Sequence, residues 1–344
     1  MKTRIYDMTD ENSYRIGIAD AAKTIRSGGL VVFPTETVYG LGANALDAEA
    51  VSRIFLAKGR PSDNPLIIHV TDMEMADVVS DSDVQQAEQM MKAFMPGPIT
   101  VILKKKQTVP DAVTAGLNTV AVRMPEQRVA RDLIAASGVP IAAPSANLSG
   151  KPSPTAPEDV LEDMDGKADV ILLDGECRYG VESTVVDCTV FPARILRPGA
   201  ITQEELSVTF ALDESLNRNE SERPKAPGMK YRHYKPNASV TAVCGSDGSV
   251  VDYINERVAQ DPEGSAVLAF EELKNRIVCA QVFSLGCRDI PMQSTHVLFA
   301  QFRECDRRGI RHIYTMCPKE EGIGRAFMNR LQKAADEVIR LKQS

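Results

Sequence analysis

The chain has 344 residues, more than a single hydrophobic core usually organises, so two domains are expected. Hydrophobic residues make up 43% and charged residues 25%, an ordinary globular balance, and a formal net charge of −7 argues against a surface built to grip nucleic acid nonspecifically. No run approaches the ~20 apolar residues of a membrane span, the opening MKTRIYDMTDENSY has no signal-peptide core, and the seven cysteines form no CxxC pair, so a reduced cytoplasmic protein without structural zinc is expected.

Ser13 can cap a helix with apolar positions Ile16, Ala19, Ala22 and Ile25, and Gly28-Gly29 ends it. Leu30–Phe33 reads as a buried strand closed by Pro34. A polar turn, Thr35-Glu36-Thr37, follows, then Tyr39, Gly40 and Gly42. Asp47 is placed to cap the next helix, whose apolar face is Val51, Ile54 and Phe55 and which stops at Lys58-Gly59-Arg60-Pro61. A second apolar run, Leu66–Val70, contains His69. Two core strands thus flank a polar loop, and a helix end delivers a lysine and an arginine. Glycines that admit a close backbone and two cations suit an anionic ligand. Neither a Walker loop nor a dinucleotide fingerprint is present, and a cationic helix end is also a common surface feature.

Thr71 or Asp72 begins a short helix, and Asp83–Phe94 forms a longer one that Pro96-Gly97-Pro98 breaks. Ile99–Leu103 is a strand running into Lys104-Lys105-Lys106, a solvated strand end. Thr119–Arg123 is a strand ending on arginine, Gln127–Ala136 a helix, and Ile141–Ala143 a short strand. The last empties into Pro144-Ser145-Ala146-Asn147-Leu148-Ser149-Gly150-Lys151-Pro152-Ser153-Pro154-Thr155, too interrupted for regular structure. Its hydroxyls, amide and backbone N–H groups make a phosphate cradle, and the same composition would serve as a linker. Its place after a buried strand, where α/β folds hold ligands, favours the cradle. Val170–Asp174, Ser183–Val186 and Arg194–Arg197 are further strands. Arg123 and Arg197 at strand ends join Lys58, Arg60 and His69 to outline a concave anion site.

From about Ala211 to Asn237 the chain is charged, proline-bearing and poor in apolar residues, which marks a linker. Tyr231, His233 and Tyr234 are unusual within a tether and should cover something: a lid over the anion site is one reading, a short sticky tether the other. The expected division is therefore 1–210, a linker 211–237, and 238–344. Beyond Ala238, strands near Ser239–Val243, Ala266–Phe270, Ala280–Ser284 and His312–Met316 alternate with helices near Val250–Ala259, Gln293–Asp306 and Gly324–Leu341. That is the pattern of a small parallel sheet with helices on both faces. Gly245-Ser246-Asp247-Gly248 is a weak nucleotide signal that reads better as a turn, and no catalytic constellation stands out in this half.

In this order, PTETVYGLG, KGRPSDNPLIIHV, PGPITVIL, VAVRMP, PSANLSGKPSPT and ESTVVD closely resemble the YrdC-like domain, and the half reached through APGMKYRHYKP resembles the C-terminal domain of the two-domain L-threonylcarbamoyladenylate synthase family. The resemblance covers nearly the whole chain. It implies an α/β fold: a YrdC-like open twisted sheet, and a smaller Rossmann-like parallel α/β domain. The reaction it implies joins L-threonine, bicarbonate or CO2, and ATP into threonylcarbamoyl-AMP and pyrophosphate, with Mg2+ accompanying ATP. Other proteins then transfer the threonylcarbamoyl group onto tRNAs reading codons that begin with A, and stable direct tRNA binding is not expected. By matching motif positions, Thr37, His69, Arg123, Ala143 and Ser183 are implied as L-threonine contacts, Ala143 through its backbone. Arg60, Asn64, Thr119, Ser145, Asn147, Ser153, Arg197 and Tyr234 are implied as ATP contacts, and Lys58, Arg60 and Arg197 as the charge-neutralising groups. Alternatives are an RNA-binding module without chemistry, a diverged enzyme taking serine, and a carbamoyl-transfer enzyme of the hydrogenase-maturation type, whose zinc-finger cysteine pairs this chain lacks.

Overall fold

The computed structural model describes residues 2–81, 84–213 and 234–342. These fall into two compact units: one of residues up to 213 except 150–152 and 179–181, the other of those two short stretches with 234–342.

The first unit contains β1 (Arg4–Asp7), β2 (Val31–Phe33), β3 (Gly40–Asn44), β4 (Ile67–His69), β5 (Ser80–Asp81), β6 (Ile99–Lys105), β7 (Thr119–Arg123), β8 (Ile141–Ala143), β9 (Val170–Leu173), β10 (Thr184–Asp187) and β11 (Arg194–Arg197). They make one mixed sheet in the order β1-β9-β2-β3-β8-β4-β7-β6-β10-β11, with β5 on β6. The helices form where caps direct them. Asp47 accepts the amides of Glu49 and Ala50, and Gly59 closes helix Ala48–Lys58 at φ 60, a conformation open to glycine. The first helix starts at Glu11, earlier than Ser13 suggests, because Asp10 is the cap and the Ser13 amide is its donor.

Strand alternation sorts the sheet into two layers. Val32, Leu41, Ile68, Val101, Val120, Val122 and Val186 belong to the larger core, with Val51 and Ile54 of helix Ala48–Lys58 and Met90 and Met91 of helix Gln85–Phe94. On the other face Val31, Phe33, Ile141 and Ala143 pack with residues of helices Glu11–Arg26 and Arg128–Ser137. Farther along that face lies a small apolar cluster of Ile67, Ile102, Ala121 and Val185, to which no helix contributes among the described residues.

Gly40 and Gly42, read above as part of a loop, lie in β3 opposite Phe33 and Val31. A methyl group on Gly42 would stand 2.6 Å from Ile141 Cγ2 and 2.7 Å from Phe33 Cε1, so close sheet packing requires that glycine.

The second unit contains β12 (Ser239–Cys244), β13 (Ser265–Ala269), β14 (Val282–Ser284), β15 (His312–Met316) and β16 (Glu337–Arg340), parallel throughout in the order β14-β13-β15-β12-β16. This is the expected small parallel sheet, flanked by helices Asp247–Val258, Pro291–Arg307 and Gly324–Ala334. Three expectations are corrected here. The last helix stops at Ala334, and Glu337–Arg340, with adjacent β-branched Val338 and Ile339, pairs with β12 as an edge strand. The supposed turn at Gly245–Gly248 opens a helix, with Ser246 at its N-cap. Cys244, ending β12, is disulfide-bonded to Cys317, just beyond β15, so the chain is not fully reduced. The two cysteines are 73 residues apart, and sequence spacing senses only local pairs, whereas neighbouring parallel strands bring distant ends together. Residues 150–152 belong to this unit: the Lys235 amide donates to the Gly150 carbonyl (3.0 Å), and Arg303 Nη2 to that of Pro152 (2.7 Å). Among the described residues no helix is long and apolar enough to cross a membrane.

Candidate active site

The turn after β2 is tied by Thr35, whose hydroxyl donates to the Val38 carbonyl (2.6 Å) and accepts from the Thr37 and Val38 amides. This presents Glu36 and Thr37 to the end of β7. Arg123 Nη1 donates to Thr37 Oγ1 (2.9 Å) and Nη2 to Glu36 Oε1 (2.6 Å). The other Glu36 oxygen accepts the amides of Glu126 (3.2 Å) and Gln127 (3.4 Å), where helix Arg128–Ser137 begins. Parallel pairing sets His69 of β4 opposite Arg123. Burial, seconded by the Arg123 charge, pushes His69 from 6.5 down to about 3, so the ring is neutral at physiological pH. His69 Nδ1 and Arg123 Nε are buried without partners among the described residues. Polar atoms so placed are ready for a ligand.

Lys58 organises the second group. Its stem leaves the last turn of helix Ala48–Lys58, and Nζ donates to the carbonyls of Ser145 (2.6 Å) and Asn147 (2.5 Å) and to Asn147 Oδ1 (3.3 Å). Ser145 Oγ donates to Asn147 Oδ1 at 2.5 Å, and the Ser149 amide donates to the Lys58 carbonyl at 2.9 Å. The loop after β8 is therefore held on the helix end. Arg60 Nη2 reaches the carbonyls of Asn64 (3.2 Å) and Pro65 (3.3 Å), and neither amide atom of the buried Asn64 side chain has a partner among the described residues.

A third group surrounds Ser183. Its hydroxyl pairs with Thr100 Oγ1 at 2.7 Å, while Arg197 donates from Nη2 to Ser183 Oγ and from Nε to the Ser183 carbonyl, both at 3.1 Å. Ser153 Oγ donates to the buried Glu182 carboxylate at 2.6 Å.

Register unites much of this. Ile67 opposes both Ala121 and Ala143, His69 opposes Arg123, Ile102 opposes Ala121, and Thr100 and Arg197 both oppose Val185. Alternation with period two puts His69, Thr119, Arg123, Ala143 and Ser183 on one sheet face around the small apolar cluster, and Arg197 joins them at the β10–β11 bulge, where it opposes Val185. Thr119 stands at the far end of β7 from Arg123, about 13 Å along the strand, in a depression of about 770 Å³ that Lys104 and Asn118 also line.

Tyr234 lies in the second unit. Its ring stacks on Phe299 with centroids 5.1 Å apart, Arg330 sits 5.8 Å from its centroid, and its backbone holds a φ of 69, strained for a bulky residue. Tyr231 and His233, expected beside it in a lid, lie outside the described residues. Glu36, Thr100 and Glu182 were not singled out from sequence. Glu36 and Glu182 lie inside the quoted motifs, and Thr100 is the polar interruption in the apolar strand ITVIL.

A family model described as telomere recombination, of the Sua5/YciO/YrdC type, matches residues 23–199. One described as the threonylcarbamoyl-AMP synthase C-terminal domain matches residues 201–336. The chain is 47% identical over 319 residues to a threonylcarbamoyl-AMP synthase of Pyrococcus abyssi, covering 92% of this chain and 93% of the relative. It is 43% identical over 351 residues to one of Bacillus subtilis, covering 99% and 100%. The solved structure of P. abyssi Sua5 complexed with L-threonine matches with a TM-score of 0.90 at 44% identity, over 99% of this chain and 100% of that one.

Proposed function

Because this chain belongs to the threonylcarbamoyl-AMP synthase family in its two-domain form, and so carries that nucleotidyltransferase activity in the service of tRNA modification, we propose that the shared sheet face is where L-threonine, CO2 or bicarbonate, and ATP react. The observation that carries this is the arrangement along β4 and β7: two partnerless polar atoms on His69 and Arg123 at one end, and Thr119 about 13 Å away at the other. That span suits an amino acid joined to a nucleotide.

Arg123 would take threonine's carboxylate, with Thr37, Ala143 and Ser183 around the rest of the molecule. His69, neutral beside it, sets no competing charge against the threonine amine. The amine, once its ammonium proton is lost, attacks CO2: the C–N bond forms as one C=O π pair moves onto oxygen, and the nitrogen gives up a second proton to water, leaving a carbamate anion. A carbamate oxygen then attacks the α-phosphorus of ATP, forming a new O–P bond as the bond to pyrophosphate breaks. Lys58, Arg60 and Arg197 would balance the charge brought together, while Asn64, Thr119, Ser145, Asn147 and Ser153 orient the nucleotide. Positioning of this kind contributes about 7–11 kcal/mol in favourable systems. Magnesium arriving on the triphosphate needs only one or two carboxylates beside phosphate oxygens, and the buried Glu182 next to Ser153 is a group of that kind. Once bound, the ion would neutralise charge on the phosphoryl oxygens.

We also assign the protein to the cytoplasm, with downstream proteins carrying the threonylcarbamoyl group to tRNA. The test is pyrophosphate release from ATP with threonine and bicarbonate omitted in turn. Dependence on both is expected, and release without threonine overturns the reading.

A further inference from the structure

We infer that Glu36 is a positioning residue for the threonine subsite, acting through Arg123; this rests on the reading of Arg123 as the carboxylate-binding group. Glu36 is buried, and its oxygens are spent on three donors: Arg123 Nη2, and the Glu126 and Gln127 amides. One carboxylate thus ties together the turn after β2, the end of β7 and the start of helix Arg128–Ser137. The positive helix end and the guanidinium together balance its charge.

For Arg123 the consequence is geometric. Two of its nitrogens are held, Nη2 by Glu36 and Nη1 by Thr37, while Nε is buried and has no partner among the described residues. The guanidinium is braced from one side and presents a donor on another. Without Glu36 its charge would be left beside a neutral His69 in a buried setting, where an unpaired cation is strongly disfavoured and the side chain would turn elsewhere. A glutamine could still accept from Arg123, but its NH2 group would face two N–H donors. An aspartate keeps the charge and falls short by one methylene.

The experiment uses the full chain and measures pyrophosphate release in the wild type, Glu36→Gln and Glu36→Asp, varying threonine at saturating ATP and then the reverse. In Glu36→Gln the KM for threonine should rise about tenfold, equivalent to about 1.4 kcal/mol, with the KM for ATP within about twofold of wild type. Glu36→Asp should be intermediate, a rescue graded by charge and reach. A folded Glu36→Gln protein with an unchanged threonine KM overturns the inference. So do equal rises in both KM values, the outcome of a merely structural role. Should Glu36→Gln not fold, Glu36→Asp carries the test, and a wild-type threonine KM there is overturning. A wild type that releases pyrophosphate without threonine refutes the functional reading itself, a result distinct from any of these.

Discussion

Replacing Lys58 with methionine keeps most of the apolar stem and deletes the ammonium group that holds the loop after β8. Lys58 is 2% exposed, and its nitrogen serves the carbonyls of Ser145 and Asn147 at 2.6 and 2.5 Å. A hydrogen bond to a charged group contributes about 1.5–3 kcal/mol, and a buried carbonyl left unpaired costs about 1–3 kcal/mol. These figures describe the same loss and are not summed, so two carbonyls amount to roughly 4 kcal/mol. Relief from desolvating the ammonium acts in the opposite direction, which leaves a net destabilisation of about 2–3 kcal/mol. At about 2–4 °C per kcal/mol, melting should fall by roughly 4–12 °C. Activity should fall more steeply. Ser145 and Asn147 ride on the released loop, and a misplacement of about 1 Å lowers rate by about 10²-fold. Thermal melting, with pyrophosphate release measured below both transitions, tests this. A variant that melts with the wild type refutes the structural reasoning, and one that keeps wild-type kinetics refutes the link from loop to chemistry.

Three further outcomes are expected. Below pH 6.5 the unfolded chain protonates His69, whereas the folded chain refuses that proton until about pH 3, so stability falls on acidification through this window by up to about 1.4 kcal/mol per pH unit. In denaturant titrations His69→Gln should show a shallower slope there, and identical slopes would remove the argument. A methyl group at Gly199 would lie 2.6 Å from the Ser183 carbonyl carbon and 2.8 Å from the Glu182 oxygen. Gly199→Ala should therefore lose about 1–3 kcal/mol of stability along with activity; a variant with wild-type melting and turnover contradicts this. Closing a loop of 73 residues, the Cys244–Cys317 bond should contribute about 4 kcal/mol. Reductant should lower the melting temperature of the wild type and leave that of Cys244→Ser unmoved, and an insensitive wild type would count against the bond.

Strands with strong local signals were readable from sequence. Thr119–Arg123, Ile141–Ala143, Arg194–Arg197 and His312–Met316 have the bounds their apolar runs and flanking breakers suggest. β3 was not, because glycine is a poor strand former and only its packing against Phe33 and Ile141 explains it. β16 was absorbed into a helix because the edge strand begins only three residues past the helix end. Cationic ends at Lys58, Arg60, Arg123 and Arg197 could be named from sequence, since charge beside a strand or helix terminus is local information. Their partners could not. That Glu36 braces Arg123 and that Thr100 meets Ser183 depends on strand order and register, which join residues 87 and 83 positions apart.

The alternation that gathers Arg123, His69 and Ser183 on one face has an evolutionary corollary. Residues 67, 102, 121 and 185 form the floor between them, while 68, 101, 120, 122 and 186 are committed to the opposite layer. Point substitutions can reshape one set and spare the other, so selectivity and robustness are free to drift apart. A lone inserted or deleted residue in β7 has no such freedom, since it carries Val122 or Met124 into the place of Arg123 and inverts the strand. In descendants of this gene, length variation should accumulate in the connections and stay out of these central strands.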